Sequence, residues 1–153
     1  MTLSNTPGSI KKFARISWKF QATFATPLKE LDSFVSAILE DGGYEAGTVT
    51  IDEITFEAKN LNRFLAAKSL STELRHDSSI KAEDQKEVRE LLKNALSDWI
   101  DFLFVPIPKP FVIYADHDEF ATFYANTKSN LNCVVSTLVN QGFKQIPDYQ
   151  REL

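Results

Sequence analysis

The sequence predicts a single α+β domain, with a mainly antiparallel sheet of about four strands and helices packed on one face. Three observations lead there. Residues 14–24, ARISWKFQATF, alternate apolar and polar side chains, the period of a strand with one buried face. Leu131, Val134, Val135, Leu138 and Val139 recur at helical spacing, which gives one apolar stripe. Hydrophobic residues make up 43% of the 153 positions and twelve are Phe, enough to close a packed core in one domain.

Along the chain, residues 1–9 read as a flexible tail, with Pro7 and Gly8 among small polar residues, and residues 10–153 as the globular domain. The strand at 14–24 buries Ile16, Trp18, Phe20, Ala22 and Phe24 in one row. A helix then starts at Thr26–Pro27, an N-cap followed by proline at the first helical position, and ends at Gly42-Gly43. A second helix is expected from residue 51. Thr50 and Glu53 have capping-box spacing, and Ile51, Ile54, Ala58, Leu61 and Leu65 follow by three and four. The competing reading makes TVTIDEITFEA a strand. Residues 70–82 lack a period and read as a loop. A third helix is expected over 83–104, stopped by the VPIPKP run at 105–110, where prolines remove donors and fix the backbone. Two short apolar runs, 111–115 and 120–125, form a hairpin around Asp116, His117, Asp118 and Glu119. A last helix covers 128–141 up to Gly142, and FKQIP adds a short strand before Pro147.

Two segments echo one another. Ala22, Thr23 and Phe24 match Ala121, Thr122 and Phe123, and Leu31, Val35, Ser36, Ile38, Leu39 and Gly42 match Leu131, Val135, Ser136, Leu138, Val139 and Gly142. A diverged strand–helix repeat would place its two strands in one sheet and its two helices on one face.

Composition excludes several chemistries. One cysteine and two histidines cannot form an intrachain disulfide or a four-ligand Cys/His zinc site. The sequence has no glycine-rich phosphate loop, HExxH pair or GxSxG elbow, so no cofactor and no metal are expected. A net charge of −4 disfavours nucleic acid and anionic membranes. Arg15 and Lys19 alternate with Trp18 and Phe20, and so point away from any aromatic platform. With no targeting signal and no apolar run near bilayer length, a cytoplasmic location is expected.

The remaining expectation is a non-enzymatic protein-binding domain, of the inhibitor, adaptor or immunity type. It would meet a basic protein through an acidic polar surface of Asp116, Asp118, Glu119, Asn130 and Cys133. Cys133 falls opposite the apolar stripe of its helix, and Asn126, Asn130, Asn132 and Asn140 make that region amide-rich. One alternative is a small hydrolase-like enzyme using Asp116, His117 and Asp118 with His76, since imidazole beside carboxylate suits general base chemistry. Another is a structural subunit of a larger assembly, with FLFVPI at 102–107 as its exposed apolar patch.

Overall fold

The computed structural model describes residues 1–40, 43–149 and 151. They form one mixed α/β domain built on a single antiparallel sheet. The strands are β1 (Thr2–Asn5), β2 (Phe20–Ala25), β3 (Ala46–Glu53), β4 (Ser78–Ala82), β5 (Asp101–Ile107), β6 (Val112–Ala115), β7 (Phe120–Ala125) and β8 (Gln145–Ile146). The helices are α1 (Ser9–Ala14), α2 (Leu31–Leu39), α3 (Lys59–Ala67), α4 (Gln85–Ser97) and α5 (Lys128–Asn140). Strand order is β1-β4-β3-β5-β6-β7-β2-β8. The fold class agrees with expectation, but eight strands replace four.

The four extra strands come from segments read as tail, helix or loop. Residues 1–9 hold β1, which pairs with β4 from Thr2↔Lys81 to Asn5↔Ser78. The segment from residue 46 to 53 is β3, a strand and not a helix; only its continuation after the 54–58 loop is helical, as α3. Its β-branched residues Val49 and Ile51 are fully buried in a central strand, where such side chains pack best. Residues 78–82 form β4. The expected helix over 83–104 ends at Ser97, and the next seven-residue strand, β5, takes in all of FLFVPI. Phe102 and Phe104 enter one core while Leu103 enters another. The proposed apolar patch is therefore interior, with only Ile107 broadly exposed.

Alternation within the strands builds two cores. Phe24, Val49, Ile51, Ile80, Phe102, Phe104, Ile113 and Phe123 face helices α2–α5. Leu103, Val112, Tyr114 and Tyr124 face the other way, where Ile10 and Phe13 of α1 cover them and Trp18 packs alongside. So helices occupy both faces. The aromatic row expected at 14–24 is split for the same reason. The strand begins only at Phe20, after α1 has ended and the chain has crossed over. Trp18 lies 6.0 Å from Phe13 and 6.1 Å from Tyr124 on the second face, Phe20 packs against the main core, and Ile16 is exposed. Gly47 permits this density, since a Cβ there would lie 2.9 Å from the Phe104 ring.

The echoed segments are neighbours. β2 and β7 pair antiparallel with Thr23 opposite Thr122, and their hydroxyls are 2.9 Å apart. The matched triplets thus face each other across a local dyad, with α2 and α5 in contact on the same face. Gly42 lies outside the described residues. Thr26 does not cap a helix: its N–H donates to the Glu119 carbonyl at 2.8 Å, and a 3-10 turn at Leu28–Glu30 precedes α2. No helix among the described residues is long and apolar enough to cross a membrane.

Candidate functional site

The strand ends gather the acidic residues of the second face at one end of the sheet. β3 leaves there through Asp52 and Glu53, β5 enters at Asp101, and the β6–β7 turn adds residues 116–119. The register brings Glu53 opposite Asp101 and Ala115 opposite Phe102. His76 and Asp77 arrive at the start of β4.

The turn itself divides into buried and exposed halves. Asp116 is 4% exposed, and its Oδ1 accepts the N–H groups of Asp118 at 2.9 Å and Phe120 at 3.2 Å. This is the local backbone chelation for which turns select Asp. Asp116, expected from sequence to face a partner, is instead buried, with Oδ1 held by the turn. Asp118 and Glu119 are exposed, as expected for a contact surface. Glu119 adopts a left-handed φ of 73°.

His117 faces Asp101, which is buried. Asp101 Oδ1 accepts the His117 backbone N–H at 2.7 Å, and the ring Nδ1 lies 2.9 and 3.1 Å from the two carboxylate oxygens. The ring Nε2 points to Asp118 at 3.7 Å. The hydrogen bond to Asp101 and then its charge hold the imidazole above its ordinary range. His76 is held up first by its hydrogen bond to the Asp52 carbonyl, 2.9 Å away, and then by the charges of Asp77 and Asp52. Both raised values lie above the unfolded imidazole pKa of about 6.5. Each pairing therefore contributes its full stability below that pH and loses it as pH rises through the folded value. In an NMR titration the His117 midpoint is expected above that of a free imidazole. Asp101→Asn should bring it down, and an unmoved midpoint would contradict the pairing.

The two histidines do not share a partner. His76 connects through Asp52 to the Tyr114 hydroxyl. The Arg151 guanidinium stacks 4.9 Å over the Tyr114 ring and forms an ion pair with Asp116. Burial, and then the Asp52 hydrogen bond, push the Tyr114 phenol up, while burial pulls the Arg151 guanidinium down. Sequence reasoning missed Asp52, Asp101, Tyr114 and Arg151. Only Asp101 left a signal, as one charge inside the apolar run WIDFLFVPI, where burial demands a partner.

A carboxylate on Nδ1 is also how a general base is oriented, but here the second ring nitrogen of His117 faces Asp118 as well. The clefts of about 430 and 500 Å³ are lined by other residues. Among the described residues no group of three or more His, Cys, Asp or Glu is placed to hold a metal ion.

Asn130 and Cys133 lie elsewhere. They sit on the first two turns of α5, which follows β7 at its far end, so β6 separates them from the acidic turn by its length. They line the 430 Å³ cleft with the 108–111 connector. No family model, no curated protein and no solved structure matches this chain, so its site is read from its own geometry.

Proposed function

We propose that this chain is a non-enzymatic protein-binding domain that docks a basic partner through the acidic end of its sheet. The reading rests chiefly on Phe56. It is 55% exposed in the loop leaving β3, between exposed Glu53 and Glu57 and at the same end as Asp118 and Glu119. An open aromatic ring within an acidic rim supplies the two parts of a recognition surface. The ring is an anchor for burial, and the carboxylates steer and orient a positively charged partner. Glu53 also acts on His117, which ties the rim to the turn.

The test is affinity capture from a native extract at low salt, run in parallel with the wild type, with Phe56→Ala and with the triple variant Glu53→Lys, Asp118→Lys, Glu119→Lys. A basic protein should be retained by the wild type, released by salt and lost with the triple variant. Phe56→Ala should weaken its affinity by about 30-fold, the effect of removing a central anchor worth roughly 2 kcal/mol. Equal retention by all three chains would refute the reading.

A further inference from the structure

The cleft at the opposite end of the sheet has a different character. Its walls come from four segments: Ala37 and Ile38 of α2, Tyr44 after it, Pro108–Phe111 between β5 and β6, and Asn130, Cys133 and Val134 of α5. A volume of about 430 Å³ lies within the roughly 300–1,000 Å³ of small-molecule sites, which pair apolar walls with a few placed polar groups. The apolar floor is fixed, because Ile38, Tyr44, Phe111 and Val134 are all buried and the Tyr44 and Phe111 rings pack edge to face at 6.2 Å.

The lining holds a single charged group, Lys109. It is exposed, and it forms no ion pair or side-chain hydrogen bond among the described residues. Prolines on both sides of it, Pro108 and Pro110, restrict its backbone. The first turn of α5 carries no acid and holds Lys128. In a chain of net charge −4 the cleft thus sets one cationic group, Lys109, over an apolar floor, with exposed Glu45 just outside the lining. A cation would find no carboxylate in the lining, whereas an anion would find the exposed ammonium of Lys109 at its mouth.

We propose that this cleft binds a small amphipathic carboxylate, its apolar body against Ile38, Phe111 and Val134 and its head group at Lys109 and Asn130. The ammonium of Lys109 and the amide of Asn130 donate to the carboxylate oxygens, and the chain lays its methylenes along the buried floor. The site is independent of the acidic end, since the two lie at opposite ends of β6.

Decanoate is the probe, with decanol and decyltrimethylammonium as controls sharing its apolar body, all titrated by calorimetry and by amide NMR. Decanoate should bind and shift residues 37–38, 44, 108–111 and 130–134. Decanol and the ammonium should bind about tenfold more weakly or worse. Lys109→Glu should cost decanoate about tenfold or more. Cys133→Trp, at an exposed position, should block the cleft without touching the core. The absence of decanoate binding at concentrations on the order of 1 mM would overturn the proposal. So would equal affinity for the three probes, shifts mapping elsewhere, or indifference to both substitutions.

Discussion

Phe123→Ala is expected to lower the unfolding free energy by about 4 kcal/mol. Phe123 is fully buried at the centre of an aromatic row, with ring centroids 5.8 Å from Phe24 and 5.7 Å from Phe111. Phe24 reaches it from β2 across the paired echo, and Phe111 joins it to Tyr44 above α2. Removing the ring takes away buried area and leaves a cavity that three separate segments would have to collapse to fill. Phe123→Leu keeps most of the volume and should cost less than half as much. Urea unfolding with an unchanged denaturant slope is the measurement. A loss for Phe123→Ala no greater than that for Phe123→Leu would show that this row does not organise the core.

Asp98→Ala should cost about 3 kcal/mol. Asp98 is buried and lies just past the end of α4, but it serves another helix. Its Oδ1 and Oδ2 accept the N–H groups of Asn60 at 3.1 Å and Leu61 at 2.7 Å. These belong to the first turn of α3, whose own N-cap position, Ala58, offers no side-chain acceptor. The carboxylate thus does from a distance what a capping residue does locally, and its charge meets the positive end of the helix dipole. Alanine would leave two N–H donors unsatisfied, at roughly 1–3 kcal/mol for each that is buried. Asp98→Asn retains one acceptor and should fall between the wild type and Asp98→Ala. A loss below about 1 kcal/mol for Asp98→Ala would mean water satisfies that turn.

Asp77 follows the same pattern. Burial pushes its carboxyl up, but the N–H groups of Ile10 at 3.1 Å and Gly8 at 2.8 Å outweigh that and hold it down. Asp77 therefore fastens α1 over the second face, as Asp98 fastens α3 over the first. With Asp101 and Asp116, four buried aspartates hold backbone N–H groups. Part of what composition presents as surface charge, four of 21 acidic residues, is internal hydrogen bonding.

That explains which parts were legible. The hairpin at 111–125, the helix from 128 and the short strand before Pro147 carry local signals: a polar turn between apolar runs, an apolar stripe closed by glycine, a proline stop. The structure adds a cap the sequence reading did not name: the Thr127 hydroxyl accepts the Asn130 N–H at 3.2 Å. The sequence favours a helix over the competing strand at β3 because Ile51, Ile54, Ala58, Leu61 and Leu65 align at helical spacing across a strand end, a loop and a true helix. Periodicity cannot see the break at residues 54–58. β5 is buried on both faces, so its apolar run shows no alternation, and a continuous run does not distinguish strand from helix. The site was half legible. Asp118 and Glu119 are exposed at a turn, as turn chemistry implies. The partners of His117 and His76, Asp101 and Asp52, are 16 and 24 residues away, and only strand register brings them together. Phe56 carried no signal, because an exposed aromatic looks the same in sequence as a buried one.

The division between internal and outward-facing acids is the centre of this account. It is tested most directly by the affinity of the captured basic partner for the Glu53→Lys, Asp118→Lys, Glu119→Lys chain relative to wild type, with melting temperature followed in the same samples. The account predicts that binding is lost while the melting temperature holds, since these carboxylates face solvent and the buried aspartates are untouched. Undiminished binding by the charge-reversed chain would contradict it.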